Sequence, residues 1–174
     1  YREDKATGRN KWLTYFTKEL PPLIDEHFHG TGRDAIAGIS MSGGPALNIA
    51  SLEPERFAAA ASYSGCPATS GVLGDTYVRQ ALKLNGADPR KMWGMSSDPA
   101  WMAHSPVLHL DALEGTKLFV SAAQGVPGAI DDTKTSSERI GPPVAIESAS
   151  YACSEYFVDR AQRAGLDVRW YPQV

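Results

Sequence analysis

The stretch Gly38-Ile39-Ser40-Met41-Ser42-Gly43-Gly44 places a serine two residues after one glycine and shortly before a glycine pair, a spacing that suits nucleophilic acyl chemistry. A serine that attacks an ester must stand at a sharp strand-to-helix turn with its hydroxyl exposed, and small neighbours let the strand and helix approach closely enough to form that turn. Gly38 provides this on one side and Ser42 with Gly43 on the other, Ser42 standing where the common pattern has a second glycine. The backbone N–H of Met41, at the start of the following helix, would point at a developing oxyanion with the helix dipole behind it. Stripped of its setting, the same stretch is also an ordinary tight turn.

The setting favours the chemistry. Asp34 to Ile39 is a short, almost wholly apolar run, as a buried strand would be, and Gly43 to Leu52 reads as a helix of small and apolar residues. Before them, Trp12, Phe16, Leu20, Leu23 and Ile24 fall at helical spacing, interrupted at Pro21-Pro22, which predicts a helix kinked or restarted there. After Pro54-Glu55-Arg56, Phe57 to Ser64 is a second strand candidate. The region 66–106 is rich in Gly, Pro, Asp and Ser without sustained periodicity, and reads as a lid. Ser105-Pro106 suits the N-cap and first position of a short helix to Leu113. Lys117 to Ala123 is a third strand, a polar loop runs to Pro143, an amphipathic helix spans 146–164 ahead of Gly165, and Leu166 to Tyr171 is a fourth strand.

Strands alternating with helices in this way predict an α/β fold, a parallel sheet with helices on both faces forming a three-layer sandwich in one domain of residues 1–174. In a serine hydrolase of this α/β type the chain order is serine, acid, histidine, with the histidine beyond the last core strand. On that logic Asp131 or Asp132, in the loop after the third strand, is a candidate acid, whereas His27, His29, His104 and His109 all precede it and read as ordinary solvated loop or helix histidines.

Composition narrows the partners. The 174 residues carry a net charge of -3 and 43% hydrophobic residues, with charges of both signs interspersed. No basic stripe favours nucleic acid, and no apolar run reaches the roughly 18 residues of a membrane span. Cys66 and Cys153 are either one disulfide or two buried thiols.

Beyond the turn at Ser40, the residues resemble the antigen 85 mycolyltransferases. Gly38 to Ala46 is similar to that family's nucleophile turn, and Met92-Trp93-Gly94 with Ser96-Ser97-Asp98-Pro99-Ala100-Trp101 is similar to a second and more specific segment. Lys11-Trp12 through Glu19-Leu20-Pro21 and Ser62 to Gly65 extend the resemblance. It implies an α/β-hydrolase fold with Ser40 as nucleophile, no cofactor and no metal. It also implies ping-pong transfer of a mycolyl group from trehalose mycolate or a similar glycolipid ester, to another trehalose ester or to cell-wall arabinogalactan. The enzyme would be a secreted or cell-envelope acyltransferase, diacylglycerol acyltransferase-like.

Matching the family's acid-bearing segment to Cys153-Ser154-Glu155-Tyr156 makes Glu155 the expected acid, with Glu147 close enough to compete. A Cys66–Cys153 bond would pin that helix near the site, and Cα atoms more than about 7 Å apart would rule it out. Trp93 and Trp101 are the candidate wall of an acyl or sugar groove, or else lid packing. The family's early strands, its second oxyanion donor and its histidine have no counterpart here, so the expectation is a fragment holding the second half of the sheet, nearly inert alone. A secreted carboxylesterase of the same fold and a non-catalytic secreted binding protein are the competing readings.

Overall fold

A computed structural model of the chain describes residues 11–126 and 137–173. The helical arm at the start is α1 (Trp12–Thr14), a π-helical turn (Tyr15–Glu19) and α2 (Leu20–Phe28). Pro21 and Pro22 lie in the first turn of α2, where a missing N–H costs no intrahelical bond. The expected interruption is thus a π-helical turn just ahead of the prolines. Arg56 ties this arm to the sheet, its Nε 2.6 Å from Asp34 and its Nη1 2.9 Å from Asp25.

Four parallel strands, β1 (Asp34–Ile39), β2 (Phe57–Tyr63), β3 (Lys117–Ala123) and β4 (Val168–Gln173), lie side by side in chain order. The register places Ile39, Tyr63, Ser121 and Tyr171 in one row near the carboxyl ends of the strands. A parallel pair needs a crossover, and α3 (Gly43–Leu52) and α7 (Ser137–Arg163) supply two of them. Between β2 and β3 runs a helical cap of α4 (Gly71–Leu84), α5 (Pro89–Trp93) and α6 (Pro99–Ala103).

Leu47 and Ala50 of α3, Ala60 of β2, Leu118 and Val120 of β3, and Phe157 and Ala161 of α7 are all buried in one core between sheet and helices. The alternate strand residues, among them Ala35, Ala37, Ile39, Tyr63, Arg169 and Tyr171, are exposed on the opposite face. The α/β class and the parallel sheet are as expected, but among the described residues helices cover one face and not both. The apolar run of β1 therefore has one face buried poorly, its outward positions filled by two alanines and Ile39.

Three local expectations change. The segment 66–106 is mostly helical, and the 14-residue α4 escaped notice because Gly71, Gly74 and Asp75 dilute its helical pattern. Residues 105–113 form two 3-10 turns, Pro106–Leu108 and Asp111–Leu113, instead of a helix. Ser105 caps nothing there; its Oγ accepts from the Thr69 N–H at 3.1 Å and pairs with Ser70 Oγ at 2.9 Å. Finally, α7 begins at Ser137, upstream of Pro142-Pro143, where the sequence suggested a loop.

Candidate active site

Ser40 ends β1 in a left-handed conformation, φ 55°, directly after Ile39 in extended backbone. A non-glycine residue there carries strain of order 1 kcal/mol or more, held only because its surroundings leave no alternative. Those surroundings are crowded. A Cβ on Gly38 would strike the Ser42 carbonyl, one on Gly43 would lie 2.5 Å from Ser62 Oγ and 2.9 Å from Gly65 Cα, and one on Gly44 would strike the Cys66 carbonyl. The glycines let the chain leaving β2 pass against the start of α3. Ser42, in place of a further glycine, donates from its Oγ to the Ile39 carbonyl at 2.8 Å and so closes the turn on itself. Ser40 is exposed, and the N–H of Met41 belongs to the first turn of the helical run, where backbone donors have no partner within the helix.

Among the described residues, Glu147 brings a carboxylate to this edge of the sheet. Its Oε1 accepts from the Ala123 N–H at the end of β3, 2.8 Å, and from Ser64 Oγ just past β2, 2.6 Å. Ser64 follows Tyr63, the register partner of Ile39, so the acid sits beside the strand next to the one that carries Ser40. Glu155 is elsewhere. From Glu147, α7 runs back against the strand direction, since Asp167 beyond its end accepts from the Leu118 N–H at the start of β3. Eight residues along that helix carry Glu155 about 12 Å away from the edge, and it is exposed with Tyr151 Oη 3.5 Å off as its contact. The chain direction was the signal that favoured Glu147: only the early turns of a crossover helix lie at the strands' carboxyl ends. Asp131 and Asp132 lie outside the described residues.

None of the four histidines stands at this edge. His27 and His29 close α2 on the side where Arg56 joins Asp25 to the beginning of β1. His104 stacks on Trp93 with ring centroids 4.7 Å apart, and its Nδ1 is 3.3 Å from Asn48 Nδ2 of α3. Burial holds its imidazole below the usual histidine range. His109 Nε2 is 3.1 Å from the Met102 carbonyl.

Trp93 and Trp101, by sequence either a groove wall or lid packing, lie together in the cap. They meet edge to face at 5.2 Å, Arg79 lies 4.8 Å over the Trp101 ring, and Trp101 is 1% exposed. A side chain buried in that way lines no open groove, so the packing alternative describes it.

Cys66 and Cys153 are joined as a disulfide, Cα to Cα 5.0 Å, between the chain leaving β2 and the middle of α7. Beside it Ser154 Oγ donates to the Gly65 carbonyl at 2.9 Å. These two links fix α7 against the loop that also carries Ser64, and so set where Glu147 can reach.

The strained Ser40 leaves the end of β1, and the hydrogen-bonded Glu147 sits across the ends of β2 and β3 on the same side of the sheet. The family model described as "Putative esterase" matches residues 2–139. The chain belongs to this esterase family. Within the curated relatives, it is 29% identical over 172 residues to the diacylglycerol acyltransferase/mycolyltransferase Ag85C of Mycobacterium avium, spanning 95% of this chain and 47% of that protein. To Ag85B of the same organism it is 35% identical over 133 residues, 74% of this chain and 40% of the relative. The chain thus spans about half the length, or less, of these relatives. Among solved structures, MPT51 of Mycobacterium tuberculosis aligns with a TM-score of 0.75 at 24% identity, over 93% of this chain and 59% of that one. A ferulic acid esterase aligns at 0.57 and 18% identity, over 94% and 52%. These likenesses are of fold: the esterase member has the parallel sheet of the α/β-hydrolases.

Proposed function

We propose that this esterase-family chain carries the nucleophile and the acid of a serine acyltransferase, Ser40 and Glu147, with the Met41 N–H as an oxyanion donor. The observation that carries the reading is the placement of Glu147: two donors hold it at the sheet edge where Ser40 leaves β1. In the first half-reaction Ser40 Oγ attacks the ester carbonyl as a base takes its proton. The oxyanion collapses, the ester C–O bond breaks, and the base returns the proton to the departing sugar alcohol. In the second, an acceptor hydroxyl attacks the acyl-serine by the same route in reverse. The base in this reading is a histidine other than His27, His29, His104 and His109, oriented by Glu147, which stabilises the imidazolium.

The similarity to the antigen 85 proteins supports the finer reading: a mycolyl or similar long acyl chain as the group transferred, trehalose mycolate as donor, and trehalose ester or cell-wall arabinogalactan as acceptor. A secreted or cell-envelope location goes with it, and the disulfide suits such an oxidising compartment. The esterase-family match favours one alternative, a carboxylesterase in which water takes the acyl group. A non-catalytic binding protein is the weaker alternative, because it gives the exposed, left-handed Ser40 between its glycines no task.

Incubating the full-length protein with a fluorophosphonate probe and mapping the label tests the reading. Labelling at Ser40 is expected, and absence of label there rejects both enzyme readings. Supplying trehalose alongside a trehalose ester then separates transfer, with labelled trehalose entering the ester pool, from hydrolysis that yields free acid alone.

A further inference from the structure

Ser64 has the second left-handed serine backbone of the site, φ 48°, one residue beyond the strand next to the one that carries Ser40. Its N–H donates to the Ser121 carbonyl at 2.7 Å, which fixes the backbone across the end of β3. Glycine would take this conformation without the steric cost that serine bears. The hydroxyl is what glycine would lack, and that hydroxyl is spent on Glu147, 2.6 Å from Oε1.

The second donor to the same oxygen is the Ala123 N–H at 2.8 Å. Both are short bonds to one carboxylate oxygen, so they lock the rotamer and leave Oε2 to receive a third donor. The backbone donor belongs to the sheet and is present in any sequence. Ser64 is the side-chain half of the clamp.

We infer that Ser64 is a positioning residue for the acid, holding the Glu147 carboxylate aimed so that it can orient the base. The inference rests on the acid role proposed above for Glu147. Without the hydroxyl, Glu147 keeps one donor on Oε1 and turns more freely. The imidazolium that forms during acyl transfer is then less well stabilised.

The test uses full-length protein carrying Ser64→Gly, Ser64→Ala or Glu147→Gln, with p-nitrophenyl butyrate as the ester and thermal melting as the measure of folding. Ser64→Gly suits the positive φ, so its melting temperature holds or rises. Its kcat is expected to fall about tenfold with KM unchanged, the worth of one hydrogen bond to a charged group. The acid limb of its kcat/KM profile moves to lower pH, because the base loses part of what favours its proton. Ser64→Ala should lose rate by the same factor, and Glu147→Gln should lose more and shift the limb further.

A Ser64→Gly protein with the parent rate and the parent acid limb overturns the inference and leaves a serine that only shapes a turn. If that happens while Glu147→Gln costs a hundredfold, the acid assignment stands and only Ser64 falls. If Glu147→Gln leaves kcat intact, the acid assignment itself is wrong and the inference goes with it.

Discussion

Ser40 and Ser64 each follow one member of a register pair, Ile39 and Tyr63, and each turns out of its strand with a positive φ, 55° and 48°. Adjacent strands lie about 4.8 Å apart, so two hydroxyl-bearing residues leave the sheet edge side by side. One is exposed for attack and the other is tied to a carboxylate.

Replacing Ser40 by glycine should abolish acyl-enzyme formation and lower kcat by at least a thousandfold, as loss of a nucleophile does elsewhere. The same change should raise thermal stability, by about 1 kcal/mol, because glycine accepts the left-handed backbone without a Cβ clash. Mass spectrometry after fluorophosphonate treatment reads the first outcome and calorimetry the second. A glycine variant that still turns over ester through a covalent intermediate would dismiss Ser40 as the nucleophile.

Glu147→Gln and Glu155→Gln should part company. The first is expected to cut kcat by about a hundredfold or more, since a neutral amide neither orients the base in the same tautomer nor stabilises its cation. The second removes an exposed charge on the far part of α7 and should leave kcat within twofold, in line with ordinary surface changes. Steady-state kinetics on the two proteins decides between the carboxylates.

How far these residues could be read from sequence follows from what each signal encodes. The turn at Ser40 was legible because glycine spacing and an apolar run report backbone geometry directly, and β1 and β3 were found at their observed bounds for the same reason. The acid stayed open between Glu155, favoured by similarity of residue types, and Glu147, because the reach of a side chain depends on its depth along a crossover helix, which residue types do not report. Pro142 and Pro143 also masked the true beginning of α7, since prolines are usually read as stops. Trp93 and Trp101 stayed open between groove wall and lid packing, because large aromatics mark both equally well; burial decides it for Trp101.

Acidification should loosen the cap. His104 is held neutral by burial between Trp93 and Asn48, with Arg79 over the neighbouring Trp101 ring. Its folded pKa lies below its unfolded value near 6.5, so its contribution is whole above that pH and is lost as pH falls through the folded pKa. Chemical denaturation at pH 7.5 and pH 5 should show lower stability at the acid end, and His104→Asn should make that loss smaller. An unchanged pH dependence in the variant would locate the titrating group elsewhere.

Gly43→Ala should be among the most damaging single-methyl additions in the chain. Its Cβ meets Ser62 Oγ and the Gly65 backbone, neither of which has room to retreat between β2 and α3. A destabilisation of about 1–3 kcal/mol is expected from overpacking of this kind, measured by urea unfolding. Gly86→Ala meets no atom but carries a positive φ, so it should cost less, about 1 kcal/mol.

Removing the bond between Cys66 and Cys153, 87 residues apart in sequence, should cost about 2–4 kcal/mol, read as a lower urea midpoint after reduction or in the double alanine variant. The same bond has a covalent consequence for digestion. Residues 71–104, the whole of α4, α5 and α6, lie on the loop it closes. A protease that cuts once in that loop therefore yields a nicked molecule whose two pieces travel together on a non-reducing gel and separate only when thiol is added. Cuts outside the loop release their pieces under either condition.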